Sequence, residues 1–522
     1  MHKPVHQIDP ADDVAVAVRQ LEPGESVSLE RLPGRPQGSQ QDRPPTVSGG
    51  FAESCDCVHV RELIPRGHKI AIRPIKAGNA VLKYGWPIGR ARCDIEPGSL
   101  VHSGNLTTQL TGLNQYEYQP SAPLTVTAPA AESPLEFMGY RRRNGKVGTR
   151  NEIWVVTTVG CVTRTAERIA RLGAERFAGR VDGVHALTHP FGCSQLGDDL
   201  AHTRKILASL ISHPNAGGVL VVGLGCESNQ LSKLLAEVGP HDESRIRSFS
   251  AQAIEDELEE GLAALEALVE IVECDEREPC PLAALSIGLK CGGSDGFSGI
   301  TANPLVGRIA DQLSAAGGTP ILTEIPEVFG AEQLLMRRAV DANVFDGIVS
   351  VVNHFKQYFL DHGQPIYENP SPGNIAGGIT TLEEKSLGAV QKGGRAPVSQ
   401  VLLYGERANK PGLALLEAPG NDAVSSTALV AAGATLLLFT TGRGTPLGFP
   451  VPTLKIASNT ALAQKKPRWI DFDAGQVLEG TSMDEAEAKL MDLIIDTASG
   501  KPSRNELNDE REIAIWKTGV TL

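Results

Sequence analysis

No stretch of this sequence approaches the ~18–20 consecutive apolar residues that a membrane-spanning helix requires, so a membrane partner is not expected. The opening, MHKPVHQIDPADDVAVAV, lacks the long apolar core of an export signal, which makes a cytoplasmic location the expectation. Basic charge is also scarce. There are 49 Lys and Arg against 62 Asp and Glu, a formal net charge of −13, and basic runs are as short as Arg141–Arg143. A nucleic-acid binder would need a denser footprint. An acidic chain can still take an anionic substrate through local Arg, Lys, metal and backbone N–H groups. Missing too are C-x-x-C and G-x-x-x-x-G-K-[ST], which argues against a local zinc motif and a phosphate-loop NTPase. The nine cysteines are an odd number with no compact disulfide spacing. In a reducing compartment they are thiols, packing residues or metal ligands.

What is present points to about three domains in 522 residues, with 41% hydrophobic residues, enough for several cores. Residues 1–116 read as short strands, with apolar runs at His59–Leu63, Ile70–Ile72, Val81–Leu82 and Ile88–Gly89. Turns at Arg66-Gly67, Ala77-Gly78 and Pro97-Gly98 separate them, as in a small all-β module. Residues 32–53 interrupt it with Pro, Gly, Ser and Gln and too little apolar content to fold alone, as a surface insertion or a lid. Residues 117–135 form a Pro/Ala/Ser-rich linker, which implies few obligatory contacts across it and leaves the module able to close over a neighbouring crevice. Beyond it, continuous apolar runs alternate with helix-like stretches. This is the pattern of an α/β main body with Rossmann-like parallel sheets. Strands are expected at Ile153–Thr158, Val184–Thr188, Val219–Val222, Leu285–Leu289, Ile321–Thr323 and Thr435–Thr440. A helix is expected at Met483–Ser499, with Ser482 and Glu485 as a capping box and Gly500 as its stop. Charge and proline in EREPCPL at 276–282 suggest a division into domains 136–280 and 281–522.

The most informative pattern is the position of four cysteines. Cys161, Cys193, Cys226 and Cys291 each lie just past the carboxyl end of an expected strand, beside glycine. In an open parallel sheet ligands bind at that edge, and glycine lets backbone N–H groups approach an anion closely. Buried packing is the plain reading of any one of them; four in one context, with His189, Glu227, Ser294 and Asp295 nearby, point to a site assembled in space. Thiolate and imidazole ligands from Cys161, His189, Cys193, Cys226 and Cys291 would suit a divalent transition metal such as iron. Gly223-Leu224-Gly225 only begins a dinucleotide fingerprint, since Ser228 stands where the third glycine belongs.

Other loops follow the same logic. Glu324 and Glu327 follow a strand, as ligands or bases, or simply as acids favoured at a helix start. Asn374, Asn421, Asp422 and Arg443 sit in Gly/Pro-rich loops that together would suit a polyhydroxy carboxylate, with Arg443 pairing bidentately with its acid group. In the β module, His68 beside Lys69 at the end of a turn suggests a general base with an electrostatic partner; a solvated turn histidine is the plain alternative.

These blocks resemble a known family. HPFGCSQLGDD, VVGLGCE, CGGSDGFSGITANP, TEIPEVFGAEQLL, YENPSPGNIAGGITTLEEKSLG, APGNDAV and FTTGRGTPLGFPVPTLKIA are similar to the altronate/galactarate dehydratase family, in order along nearly the whole chain. DDVAVAV, PRGHKIA and KYGWPIG resemble its small N-terminal SAF-type (β-clip) domain. The resemblance implies a hydro-lyase that dehydrates a sugar acid in hexuronate catabolism. Ser194–Asp199 and Gly420–Asp422 look like the altronate version, implying D-altronate as substrate and 2-keto-3-deoxy-D-gluconate as product. It also implies iron dependence, with Fe2+ expected and Mn2+ an alternative, and a homodimer is expected. One departure is Val101–Asn105, where the altronate pattern carries further histidines. On this reading His68, Lys69 and Glu324 are the acid–base candidates. Ser294, Asp295, Asn374, Asn421, Asp422 and Arg443 would bind substrate, and the four cysteines with His189 would hold the metal. Galactarate dehydration, sulfite release from sulfolactate, and a non-catalytic metal- or redox-sensing protein remain open as alternatives.

Overall fold

The computed structural model describes residues 3–29, 57–119 and 135–522. The expected insertion at 32–53 and most of the expected linker at 117–135 lie outside the described residues. The chain is a mixed α/β protein with parallel sheets and an antiparallel strand-rich N-terminal module. Among the described residues no helix is long and apolar enough to cross a membrane.

The body contains two parallel sheets. In the smaller, β1 (Glu152–Thr157), β2 (Val184–Leu187), β3 (Ala216–Gly223) and β4 (Ile246–Ser250) lie in the order β2-β1-β3-β4. β1 reads EIWVVT and is buried at every position, as a central strand covered on both faces must be. The larger sheet uses β5 (Ser286–Cys291), β6 (Thr319–Leu322), β7 (Val398–Leu402), β8 (Leu413–Leu416), β9 (Leu436–Thr441), β10 (Thr453–Ala457) and β11 (Phe472–Asp473). Their order is β7-β8-β6-β5-β9-β10-β11, all pairings parallel. In each sheet the first strand has its successor on one side and later strands on the other. The order therefore reverses at β1/β3 and at β5/β9, and beyond such a reversal the loops part and leave a crevice. The helices α1 (Thr163–Arg176), α2 (Gly197–Ile211) and α3 (Leu231–Val238) follow β1, β2 and β3, and α4 (Asp422–Ala431) follows β8. The late helix α5 (Met483–Ala498) starts where the Ser482 side chain accepts from the Glu485 N–H.

The N-terminal module is bolted to the body, contrary to the expectation of few contacts. Its strand Val14–Ala17 is buried at all four positions, and period-2 alternation explains how. Ala15 and Ala17 face the module's own core with Ile70 and Ile72, whereas Val16 packs on Phe297 and Ile300 of the body. Lys69 and Lys83 reach across to a single buried carboxylate, Glu384, at 2.9 and 2.8 Å. Thr108 Oγ1 and the Gln109 N–H donate to Glu383, and Thr381 donates to the Ile88 carbonyl. Trp86 lies 5.3 Å from the Arg337 guanidinium. At the contact the Gly67 carbonyl leaves no room for side chains: a Cβ on Gly296 would lie 1.9 Å from it and one on Gly378 2.2 Å. The module is a fixed wall of the crevice rather than a closing lid.

Candidate active site

β5 carries a lysine where a buried central strand otherwise runs apolar, and that lysine organises the site. Lys290 is fully buried, donates 2.6 Å to the Cys291 carbonyl and 2.7 Å to Asp422, and is ion-paired to Glu324. Burial alone would lower its pKa; Glu324 and Asp422 reverse the direction and keep it an ammonium. Glu324 follows β6 and has φ +69, a left-handed conformation unusual for a side-chain-bearing residue. Strain of this kind costs on the order of 1–3 kcal/mol and persists where the surroundings over-determine it. Here the Cys291 N–H donates 3.1 Å to one Glu324 oxygen while Lys290 holds the other.

The remaining partners come from residues 385–392. Lys392 Nζ lies 2.8 Å from Cys291 Sγ and 3.7 Å from Glu324. Lys385 pairs with Glu327 at 2.8 Å and donates to Asn369 and Asn374. Cys291 Sγ stands 3.4 Å from both Glu324 and Glu327. Three ammonium groups, Lys290, Lys385 and Lys392, face the carboxyl groups of Glu324, Glu327 and Asp422. Burial pushes the Cys291 thiol up to about 12, so it stays S–H. Burial also raises Glu324 above the usual carboxylate range, whereas three lysines hold Glu327 at about 2 against the same burial. One carboxyl that binds a proton readily beside one that does not is an acid–base arrangement.

At the module contact two lysines share one carboxylate. Glu384 is held at about 2 despite burial. It cannot neutralise both ammoniums, and burial with the nearby Lys83 charge brings Lys69 down to about 8. Lys69 is fully enclosed and donates 2.7 Å to the Gly378 carbonyl, so it positions the contact. His68 is half-buried beside the loop after β5, its pKa lowered by burial and by Lys69 and His102.

The other expected site residues divide by their bonding. Asp422 is partly exposed at the mouth, and Arg443 is exposed on the loop after β9, its N–H bonded to the Gly293 carbonyl. The Asn421 side chain caps α4, accepting from Ala423 and Val424. Asn374 accepts from Ser371 and Lys385 and donates 2.8 Å to the Ser294 carbonyl, which shapes the β5 loop. Asp295 is buried and locks that loop to the one after β10 through Ser298, Ser458 and Asn459. Ser294 and Asp295 line a small cavity of about 10 Å³, room for one water.

The five expected metal ligands do not form one site. Cys291 ends a strand of the larger sheet, while Cys161, Cys193 and Cys226 are exposed at the edge of the smaller. Both His189 nitrogens are engaged, Nε2 with the Thr157 carbonyl at 2.9 Å and Nδ1 with the Phe191 N–H at 3.1 Å, so neither offers a lone pair to a metal. Among the described residues, the group with ligand atoms mutually within 4.8 Å is Cys291, Glu324 and Glu327. Lys290, Lys385 and Lys392 went unnoticed in the sequence. The available signal was Lys290 itself, directly before Cys291 in an apolar strand, since a lysine is fully buried almost only when paired.

Comparison with known proteins agrees with this architecture. Residues 282–521 match the model of the D-galactarate/altronate dehydratase C-terminal domain, 139–273 that of the D-galactarate dehydratase/altronate hydrolase second domain, and 3–109 that of the altronate/galactarate dehydratase SAF domain. The chain belongs to the altronate/galactarate dehydratase family. Within that family it is 49% identical over 518 residues to the altronate dehydratase of Escherichia coli K12, covering 99% of both chains. It is 50% identical over 469 residues to the altronate dehydratase of Bacillus subtilis 168, covering 89% of this chain and 94% of the relative. The L-threo-forming galactarate dehydratase of Escherichia coli K12 is 35% identical over 465 residues, covering 85% and 88%.

Proposed function

We propose that this chain is a hydro-lyase converting D-altronate to 2-keto-3-deoxy-D-gluconate. The observation that carries the reading is near 50% identity to two altronate dehydratases, one of them matched over 99% of both chains, against 35% to the galactarate enzyme. The chemistry must remove a weakly acidic proton at C2, stabilise the resulting dianion and expel hydroxide from C3. Arg443, exposed at the crevice mouth, pairs with the substrate carboxylate, and His68 takes the C2 proton from the module side. Lys290 and Lys392 hold positive charge beside the developing dianion, and Glu324, raised by burial, returns a proton to the leaving hydroxide. Lys69 and Asn374 position these groups.

Cys291, Glu324 and Glu327 could hold a divalent ion, which would have to compete with the three ammonium groups already paired there. Iron, the metal we propose for this enzyme, supplies Lewis acidity toward an oxygen when bound, and the exposed cysteines are its better donors. A direct test of the elimination is turnover of altronate in D2O. The enol left by hydroxide loss picks up a solvent proton at C3, so the product should carry one deuterium there. Product without deuterium at C3 would contradict the mechanism.

A further inference from the structure

We propose that Cys161, Cys193 and Cys226 bind a [4Fe–4S] cluster through three of its irons, leaving the fourth iron without a protein ligand. The three residues follow β1, β2 and β3, adjacent strands of one sheet, at the edge where its strand order reverses. Their loops are tied together next to each cysteine. The Gly160 N–H donates 2.9 Å to the Phe191 carbonyl, and the Asn229 N–H donates 2.9 Å to the Gly192 carbonyl. Thr158 Oγ1 donates 2.6 Å to Glu227, and Asn229 Nδ2 donates 3.1 Å to the Thr158 carbonyl. A Cβ on Gly192 would lie 2.2 Å from the Thr158 carbonyl, so only glycine lets these two loops meet so closely.

The sulfurs are too far apart for a single ion, and their surroundings suit a larger anionic group. With metal–sulfur bonds of about 2.3 Å, two sulfurs on one ion are at most about 4.6 Å apart. The three sulfurs are not mutually within 4.8 Å, and a cube of iron and sulfide bridges wider thiolates than one ion does. All three cysteines are exposed, and each lies shortly before α1, α2 or α3, whose N-terminal dipoles favour an anionic group. Ser194 at φ +56 and Gly225 at φ +133 turn the backbone sharply beside two of the ligands, and Gln252 Nε2 lies 3.6 Å from Cys226 Sγ. Donors placed this way tune cluster sulfur. His189 and Glu227 are committed to holding the loops, which leaves no fourth protein donor from them.

The test is anaerobic reconstitution of the full chain with Fe(II) and sulfide. The expected result is about four irons and four acid-labile sulfides per chain. Removal of one electron by ferricyanide should then release the unligated iron as Fe2+, taking [4Fe–4S]2+ to [3Fe–4S]+ with a spin-½ EPR signal. Cys161→Ser, Cys193→Ser and Cys226→Ser should each lose most of the sulfide and that signal, while Cys274→Ser, at an exposed cysteine elsewhere, keeps both. Melting of each variant without iron, together with alanine at the same positions, separates ligand loss from misfolding. Iron bound without labile sulfide, or full cluster content in all three serine variants, would overturn the proposal. Neither readout uses turnover, so the cluster can fail while keto-acid formation holds, and the reverse.

Discussion

Glu384 is the residue on which the module contact turns, because among the described residues it is the carboxylate paired with the ammoniums of both Lys69 and Lys83. Glu384→Gln would leave two buried lysines unpaired and should cost about 3–5 kcal/mol, read by urea denaturation. Lys69→Met leaves a one-to-one pair between Lys83 and Glu384 and should cost far less. If the two variants were equally destabilised, the shared-carboxylate account would be wrong. His68 is half-buried and hydrogen-bonds the Arg66 carbonyl, so His68→Ala should leave the urea midpoint unchanged. Turnover should nonetheless fall by ~10²–10⁴, the usual contribution of a positioned acid or base. Near-normal turnover would move the base to Glu324. Cys291 and Glu324 were visible in the sequence because strand-end position is a local property. Their lysine partners were not: nothing local to Lys385 and Lys392 says that residues 385–392 pack against β5.

Glycines decide how closely the elements meet. Gly296→Ala would place a methyl 1.9 Å from the Gly67 backbone carbonyl, which cannot move aside as a side chain does. The variant should loosen the module while the two parallel sheets stay folded, giving faster proteolysis of residues 3–119 and a far-UV spectrum close to the parent. A pH titration probes the same contact. Glu384 and Glu327 are both held at about 2 in the folded chain, below the ordinary carboxylate range. Their stabilisation is complete above that range and is lost as pH falls towards 2. Trp86, packed by Arg337, should therefore keep its native fluorescence until the pH drops below the carboxylate range and then change as the module detaches. A change near neutral pH would contradict the assignment. The parallel strands β1, β3, β5 and β9 were legible because burial on both faces requires a continuous apolar run. β7, VSQVL, alternates buried and half-buried positions at the sheet edge and so produces no such run, while β8, LALL, is an apolar run of only four residues.

Over the whole molecule, strand order and docking escape a local reading. Nothing in the run SIGLKC says that β6 lies on one side and β9 on the other, yet that arrangement places Cys291, Glu324 and Arg443 at one crevice. A Pro/Ala-rich linker likewise suggests independence, whereas Val16 on Phe297 and Ile300 shows a shared core. Residues 135–522 expressed alone should accordingly melt well below the full chain or aggregate. The measurement that bears most directly on the central claim is keto-acid formation by the full chain, reconstituted anaerobically with Fe(II), from altronate, galactarate and sulfolactate in parallel. The account predicts 2-keto-3-deoxy-D-gluconate from altronate, with the other two acids turned over far more slowly. Keto acid chiefly from galactarate, sulfite from sulfolactate, or no product from any of the three would contradict it.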